Sequence, residues 1–392
     1  MTRFLQDILR QPDELRRTLG HLAGEGRYRL EEAAATLCRA DHVYLTGIGS
    51  SWHAALCAAP LFSASARPAY VEDAAELVHF AAFPPDAVIV AISRTGKSAE
   101  IVRLLAKARE SGALVIGVTN SEDGQLAREA QIPIIVPVTF DHGISVNTYT
   151  TLVLAAGILA SGTVTSLDDA LLSTLSRAIG VAAQSMGGWQ ERIARSAWLV
   201  PGANYYFLGR GSSLGSCHEA RLLWEEGAKS PATAMGTGGF RHGPQEMVAQ
   251  GLRLGIWIDG RRMREEDLAV ARDLRSLGAS VMLIGQDLPD DAADLVLDIP
   301  EVSPEWQFVI DAIPAQLAAE RLARLSGVDC DSFRLCSYIV EDDGGLLHAS
   351  GHAERVTGTQ THGKRGSTGP DEGLAKGIWF RLKEVVAKER NE

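Results

Sequence analysis

The chain has 392 residues, of which 46% are hydrophobic and 22% are charged, a composition that is typical of globular proteins and excludes a fibrous or intrinsically disordered one. Its length favours two domains of ordinary size over one. The formal net charge of −11 argues against nucleic acid as a partner, so an anionic ligand requires a local binding site.

The N-terminal segment is predicted to be a helix over residues 1–24, because charged and apolar residues alternate there with helical spacing. It lacks the apolar stretch of an export signal. No apolar run in the chain approaches the roughly 20 residues of a membrane helix. The five cysteines form no Cys-x-x-Cys pair, which is typical of a reducing compartment. We therefore expect a cytoplasmic protein without a membrane partner.

Two parts of the chain repeat one order of elements. In each copy an apolar strand runs into a Gly-x-Gly-Ser-Ser turn, a helical pattern follows, and two more apolar strands come later, separated by a helix of the same length. The segments are Val43–Ser51, Val88–Ser93 and Leu114–Val118 in the first copy and Tyr206–Ser213, Leu254–Asp259 and Val281–Ile284 in the second. This alternation predicts βαβ units and an internal duplication.

The duplication predicts an α/β fold with two tandem three-layer (α/β/α) domains, each built on a parallel sheet. We predict the first domain at residues 25–165, a helical connector at 166–195 and the second domain at 196–341. The tail, 342–392, is rich in Gly, Ser, Thr and His, and we predict loop or partial disorder there, with a short helix over 374–388.

A candidate phosphate loop follows the second strand of the first copy. Ser93-Arg-Thr-Gly-Lys-Ser98 lies between a buried strand and a helical pattern, where ligands bind in parallel sheets. Hydroxyl groups and backbone N–H groups could hold a phosphate there, and Arg94 and Lys97 add positive charge. The alternative is that Ser93 or Thr95 only caps the helix. The concentration of small polar residues favours the ligand site.

The second copy differs at the equivalent loop, which begins with Asp259-Gly-Arg-Arg. A carboxylate at this position would repel a phosphate, so we expect one sugar phosphate per chain, bound by the first copy. The glycines of the two turns, Gly47, Gly49 and Gly211, are weaker indications, because glycine is common after strands.

Two residues of the second copy are candidates for proton transfer. Glu226 lies at the end of a helical pattern, and His242 follows in an Arg-His-Gly-Pro segment. A carboxylate can move a proton between adjacent carbons, and an imidazole can open a sugar ring. By chemistry alone, a solvated helix end for Glu226 and a capping loop residue for His242 are the better interpretations.

We expect no metal and no cofactor. No HExxH motif and no His/Cys cluster with ligand spacing occurs, and the Walker GxxxxGK[ST] spacing is missing as well. The tail histidines His348, His352 and His362 are expected to be solvated side chains and not ligands.

Taken together, the two Gly-x-Gly-Ser-Ser turns, the SRTGKSAE loop, and Glu226 followed by FRHGP resemble the double sugar isomerase (SIS) domain family over about residues 25–341. Its members include the isomerase half of glucosamine-6-phosphate synthase, the tagatose- or galactosamine-6-phosphate isomerase/deaminases and the fructosamine-6-phosphate deglycases. The resemblance implies a phosphorylated sugar as the ligand.

The resemblance also assigns roles to residues. It implies phosphate and sugar contacts from a group of residues in the first copy: Gly49, Ser50, Ser51, Ser93, Arg94, Thr95, Ser98, Ser145 and Thr148. Arg94 stands where the synthase usually has glutamine. Glu226 matches the base that moves a proton between carbons 1 and 2. His242 resembles the ring-opening histidine, which in the synthase comes from the neighbouring subunit, so a homodimer with a shared active site is implied.

This sequence departs from the synthase pattern in its lysines. The helix lysine three residues before the base is Leu223 here, and the lysine of the synthase tail has no clear counterpart, since Cys336 and Ser337 stand nearby. Lys97 and Lys229 are the nearest lysines in sequence, and neither matches. A Schiff base between enzyme and ketose is therefore not expected.

Three functions remain open. The first is an isomerase, or an amino-sugar-phosphate isomerase/deaminase, that acts on a hexose 6-phosphate. Position 2 is threonine and no glutaminase domain precedes the duplication, so we expect no glutamine hydrolysis. The second is a fructosamine-6-phosphate deglycase, in which the substrate supplies its own amine. The third is a sugar-phosphate sensor without turnover, which would need neither Glu226 nor His242.

Overall fold

The duplicated strands form two separate sheets in the computed structural model, which describes residues 1–64, 68–163, 167–300 and 302–341. The first sheet consists of β1 (Val43–Gly47), β2 (Tyr70–Asp73), β3 (Val88–Ser93), β4 (Leu114–Thr119) and β5 (Ile132–Ile135). The second consists of β6 (Tyr205–Gly209), β7 (Ala232–Gly236), β8 (Arg253–Trp257), β9 (Ser280–Gly285) and β10 (Leu295–Asp298).

The two sheets have the same topology. The strand order is β2-β1-β3-β4-β5 in the first sheet and β7-β6-β8-β9-β10 in the second, and every strand pair is parallel. The predicted parallel sheets are thus confirmed. All six residues of β3 are buried, as expected for a central parallel strand that is covered on both faces.

Helices cover both sheets and connect them. In chain order they are α1 (Arg3–Ala23), α2 (Arg27–Arg39), α3 (Ser50–Ala64), α4 (Ala74–Phe80), α5 (Ala99–Ser111), α6 (Gln125–Glu129), α7 (Asn147–Ser161), α8 (Asp169–Arg195), α9 (Ser213–Glu226), α10 (Thr237–Phe240), α11 (Arg264–Ser276) and α12 (Ile313–Ser326). Short 3-10 helices span Pro244–Met247 and Pro304–Val309.

The helices after β3 and β8 confirm the predicted repeat in length. Both α5 and α11 have 13 residues. A glycine in the left-handed backbone region follows each of them, Gly112 with φ of 79° and Gly278 with φ of 92°. Because glycine adopts this conformation without steric cost, it stops each helix and turns the chain into the next strand.

The main core lies between the two sheets and is shared by both copies. One cluster of buried apolar side chains includes residues of α1, α3, α7, α8, α9 and α12. Helix α7 is buried at every position from Asn147 to Ala160, so it passes through the centre of this core. Smaller apolar clusters lie on the outer face of each sheet.

Helices α3 and α9 occupy matching positions in the two copies and pack directly on each other. If Gly49 is matched to Gly211, then His53 corresponds to Gly215 and Cys57 corresponds to Glu219. A Cβ atom added to Gly215 would lie 2.5 Å from the backbone oxygen of His53. The close approach of the two helices therefore depends on the missing side chain at position 215.

Two further predictions concern membranes and the tail. Within the described ranges, no helix combines the length and the apolar character that crossing a membrane requires. The predicted loop or disorder over 342–392, and the helix predicted within it, fall outside the described residues.

Candidate active site

A cavity of about 240 Å³ lies at the carboxyl ends of β1 and β3, where the helices α3 and α5 begin. Its wall brings together most of the site residues predicted from the sequence. They are Gly49, Ser50, Ser51, Ser93, Arg94, Thr95, Ser98, Ser145 and Glu226. The N-terminal ends of two helices lie there, and the dipole of a helix favours negative charge at its N-terminus, so the cavity suits an anion.

The turn after β1 is held by two glycines. Gly49 has a φ of 56°, in the left-handed region. A Cβ atom on Gly47 would lie 2.6 Å from the backbone carbon of Ser51, at the start of α3. These positions require glycine because the chain turns sharply into the helix and the backbone passes close to it.

The loop after β3 is organised by its own hydroxyl groups. The Ser93 Oγ accepts a hydrogen bond from the N–H of Gly96 at 3.0 Å, and the Thr95 Oγ1 accepts one from the N–H of Lys97 at 3.3 Å. Ser98 is the N-cap residue of α5 but makes no side-chain capping bond. Ser93 and Thr95 therefore shape the loop, and each hydroxyl keeps a proton that it can donate to a ligand.

The segment Phe333–Val340, which we call the strap, forms one side of the cavity. The backbone oxygen of Val340 accepts the first N–H of α5, from Ala99, at 3.1 Å. Arg94 donates to the backbone oxygen of Tyr338 at 2.7 Å, and its guanidinium lies 4.1 Å from the centre of the Tyr338 ring. The strap thus contacts both the phosphate loop and the beginning of α5.

Glu226 is the last residue of α9, and its partly buried side chain lies at the cavity wall. Burial is the main cause that raises the pKa of Glu226 to about 7, and the nearby carboxyl group of Glu219 raises it further, whereas Arg94 and Lys229 lower it. A carboxyl group with a pKa near neutrality can both accept and return a proton at physiological pH.

Two predicted residues lie outside the cavity wall. Thr148 is buried behind Ser145, with 2.6 Å between their hydroxyl oxygens, and it donates to the carboxylate of Asp141. His242 lies in an exposed turn after α10 and is not among the residues that line the cavity.

Lysine is absent from the described residues that line the cavity. The Lys229 ammonium donates hydrogen bonds to the backbone oxygens of Glu226 and Ser332. Burial lowers the pKa of Lys229. Lys97 is exposed. The two lysines that are nearest in sequence therefore do not line the space where a substrate carbonyl would lie.

The second copy has a cavity of about 310 Å³ at the equivalent place, lined by Gly211, Ser212, Ser213 and the loop after β8. The carboxylate of Asp259 accepts the N–H groups of Arg262 and Met263, each at 3.0 Å. The backbone N–H groups of this loop thus bind the Asp259 carboxylate, which takes the place of an external anion. The position matched to Glu226 is Ala64, which has no titratable side chain.

The sequence analysis missed several residues around the first cavity. Glu100, Leu222 and the strap line it, and the buried pair of His53 and Glu219 lies behind it. For Glu219 there was a signal, because it stands two helical turns before Glu226 and so shares its face of α9. For the strap, the resemblance placed Cys336 and Ser337 near the tail of the synthase, but nothing in the sequence predicted that this irregular segment lines the cavity.

A family model described as the SIS domain matches residues 36–160. Among curated proteins, the glutamine–fructose-6-phosphate aminotransferase (isomerizing) of Pyrobaculum aerophilum is 26% identical over 341 residues, which cover 84% of this chain and 56% of that protein. The enzyme of the same name from Bacillus subtilis is 25% identical over 312 residues, 77% of this chain and 52% of that protein. The chain thus spans about half the length of these relatives.

Solved structures share the fold. The C-terminal domain of glucosamine-fructose-6-phosphate aminotransferase from Francisella tularensis superposes with a TM-score of 0.76 at 20% identity, covering 85% of this chain and 98% of that one. The glucosamine-6-phosphate deaminase of Thermotoga maritima gives 0.71 at 20% identity, over 86% and 99% of the chains. The tagatose-6-phosphate ketose/aldose isomerase of Escherichia coli gives 0.72 at 21% identity, over 84% and 94%.

Proposed function

We propose that the chain is a phosphosugar isomerase, or an amino-sugar-phosphate isomerase/deaminase, that acts on a hexose 6-phosphate, because its predicted resemblance to the SIS domain family is confirmed. The observation that carries this proposal is the presence of Glu226 in the same cavity as the phosphate loop. A proton-transfer group and an anion site in one cavity are the two parts that the reaction needs.

The phosphate group would be bound by the loop after β3. Ser93, Thr95 and Ser98 supply hydroxyl groups, and Arg94 is the one cation among the described residues of the cavity wall. Hydrogen bonds to a charged oxygen are stronger than those between neutral groups, so these contacts would fix the sugar relative to Glu226. The strap would have to release the N–H of Ala99 before a phosphate could use it.

Glu226 would move the proton between carbons 1 and 2. Its carboxylate removes the proton from carbon 2 of the open-chain aldose, and the electron pair forms the carbon–carbon double bond of an enediolate whose negative charge lies on the oxygen of carbon 1. The same carboxyl group then returns the proton to carbon 1 while the hydroxyl proton on carbon 2 passes to the oxygen of carbon 1, which leaves the ketose. His242 would open the cyclic sugar from a second copy of the chain, because it lies away from the cavity of its own chain.

Because the part of the cavity wall that the structure describes contains no lysine, substrates that carry their own nitrogen are favoured. With a 2-amino sugar phosphate, proton transfer by Glu226 gives an enolamine and then a ketimine, which one water molecule hydrolyses to the ketose and ammonia. Our second candidate function is a deglycase, whose substrate, a fructosamine 6-phosphate, likewise supplies its own amine. Neither route requires a Schiff base with the enzyme.

The two sheets would correspond to two tandem SIS domains, at residues 25–165 and 196–341, with the first binding phosphate and the second supplying Glu226. The matched strand orders and the shared turns support this division. A homodimer would complete each site with the partner's histidine.

Solvent deuterium exchange tests the proposal. The native protein is incubated in deuterium oxide with fructose 6-phosphate, glucosamine 6-phosphate and other hexose 6-phosphates, and we expect deuterium at carbon 1 or 2 of at least one of them. The Glu226→Gln variant keeps the shape of the side chain but loses the base, so its turnover should fall by roughly 100-fold or more while binding persists. If no sugar exchanges deuterium and several raise the melting temperature, the protein is a sensor instead.

A further inference from the structure

A buried hydrogen-bonded chain leads from the cavity wall into the core. Ser50, at the start of α3, donates its hydroxyl to the Glu219 Oε1 at 3.1 Å. The Glu219 Oε2 lies 2.7 Å from the Nδ1 of His53. Glu219 and His53 are 0% and 1% exposed, whereas Ser50 reaches the cavity. The chain of contacts also joins α3 of the first copy to α9 of the second.

The surroundings of this pair disfavour a negative charge on Glu219. Three other carboxylates, Asp73, Asp141 and Glu226, lie near the pair. The nearby cation is Arg221, which forms an ion pair with Glu225 at 2.6 Å. The other titratable neighbours of the pair include Cys57, Tyr149 and His218, which are all neutral near pH 7. A buried charge without its own counterion is costly, so the neutral form of each partner is favoured.

We propose that Glu219 is a positioning residue that, as a neutral carboxylic acid donating to His53, holds the Ser50 hydroxyl so that Ser50 presents its lone pairs to the cavity. Because Ser50 has a single proton and gives it to Glu219, it can only accept from a ligand. Ser50 therefore binds a hydroxyl or amine hydrogen of the sugar and not a phosphate oxygen. This inference rests on the proposed function, since it names the part of the phosphosugar that Ser50 contacts.

The titration behaviour of the pair agrees with this geometry. Burial raises the pKa of Glu219 to about 8 and lowers the pKa of His53 to about 3, so both groups are neutral near pH 7. The neutral acid also matters for Glu226, because a charge on Glu219 is one of the causes that raise the pKa of Glu226, so a neutral Glu219 leaves a larger fraction of Glu226 ionised.

Calorimetry with two probes tests the role of Ser50. Fructose 6-phosphate and inorganic phosphate are titrated into the native protein and into Glu219→Ala, Glu219→Gln, Ser50→Ala and the Glu219→Ala/Ser50→Ala double variant. We expect Glu219→Ala and Ser50→Ala each to weaken sugar-phosphate binding by roughly 10-fold and to leave phosphate binding unchanged. The double variant should bind no worse than Ser50→Ala. Glu219→Gln, which has the shape and the donor of the neutral acid, should recover most of the affinity.

Asp311→Asn provides the matched control. Asp311 is another fully buried carboxylate, and it binds Ser213 and Ser216 on the side of the second cavity. Its replacement should change binding at the first cavity little. Equal losses for phosphate and sugar phosphate, or additive losses in the double variant, would overturn the proposal.

Nitrogen-15 spectra of the histidine rings provide a readout that does not depend on the substrate. His53, assigned by comparison with a His53→Gln variant, should be neutral with an unprotonated Nδ1 from pH 5.5 to 7, a range that lies below the pKa of Glu219 of about 8. A charged His53 ring in this range would mean that Glu219 is ionised, and the proposal would fail. If fructose 6-phosphate does not bind to the native protein but the His53 ring is neutral, the proposed function fails while the neutral pair stands.

Discussion

The partly buried surroundings of Glu226 disfavour the negative charge that its proposed role as a general base requires. The side chain lies at the end of α9, where its surroundings raise its pKa to about 7. A fully solvated glutamate would be ionised at neutral pH but would be a poor acid for returning the proton. The partial burial of Glu226 therefore suits both directions of proton transfer.

The first prediction concerns the pH dependence of catalysis. If Glu226 is the general base, it acts in its ionised form, and because its pKa lies at about 7, kcat/KM should fall by about tenfold for each pH unit below 7. Initial rates from pH 5 to 9 with the substrate found by deuterium exchange would show this limb. The residual activity of Glu226→Gln should lack it. A native profile that stays flat down to pH 5 would exclude Glu226 as the base.

The second prediction concerns the phosphate loop. Combined replacement of Ser93 and Thr95 by alanine removes two hydrogen bonds to charged oxygens, which contribute roughly 1.5–3 kcal/mol each. Binding of inorganic phosphate and of fructose 6-phosphate should therefore weaken together, as measured by calorimetry.

Asp259→Ala is the matched control for the loop, because Asp259 begins the equivalent loop of the second copy. Its carboxylate binds backbone N–H groups of that loop only. Affinity in the first cavity should stay within about twofold of the native value. Equal weakening by both sets of changes would indicate a general loss of structure.

At the scale of elements, the contact between α3 and α9 determines how the two copies meet. Gly215 leaves room for the backbone of α3, and Glu219 on the next turn of α9 binds His53. The third prediction is that Gly215→Ala lowers the free energy of unfolding by about 1–3 kcal/mol, since the new methyl group would overlap rigid backbone atoms. Denaturant unfolding monitored by circular dichroism would measure it.

Gly187→Ala provides the comparison for Gly215→Ala. Gly187 lies in α8, and a Cβ atom added there has no other atom within 4 Å. The higher helix propensity of alanine should stabilise this variant by up to about 1 kcal/mol. A stabilising Gly215→Ala change would mean that the two helices are not in close contact.

The sequence predicted the elements that depend on local pattern. The central strands, the turns after β1 and β6, and the equal lengths of α5 and α11 follow from apolar runs and glycines that are close in sequence. The four edge strands β2, β5, β7 and β10 were not predicted, because each has only four or five residues and β5 contains a proline. Their positions depend on the sheet beside them.

Part of the site could also be predicted from local sequence pattern. Residues on the loops after strands could be assigned because parallel strands bring their carboxyl ends together. The strap and the His53–Glu219 pair depend on contacts between residues more than 100 positions apart, for which a single sequence offers no local signal. Thr148 shows the reverse case, since its motif indicated a ligand while its hydroxyl donates to Asp141.

At the scale of the whole molecule, the proposed function assigns a different part to each copy. The first copy supplies the loop after β3 and the second supplies Glu226, and both line one cavity. At the equivalent cavity of the second copy, the loop begins with Asp259 and the position matched to Glu226 is Ala64. The proposal therefore expects one active site in each chain, to which a second chain contributes His242.

The fourth prediction tests that expectation by subunit mixing. Glu226→Gln and His242→Asn variants, each inactive alone, are unfolded together and refolded. If His242 acts on the site of a partner, random pairing gives half mixed dimers with one intact site each, so about a quarter of the native activity should return. Two samples of one variant, treated in the same way, provide the baseline. Activity that stays at this baseline would mean that His242 acts within its own chain or not at all.

The crossing of α3 and α9 also limits how the gene can change. His53 and Gly215 are matched positions at one contact, where any side chain at position 215 would meet the backbone of residues 53 and 57. Copying the first half over the second, as in an attempt to reconstruct a symmetric ancestor, would place an imidazole against this backbone. Copying the second half over the first would leave Glu219 without His53. The divergence of the two copies is therefore hard to reverse by recombination between the two halves of the gene.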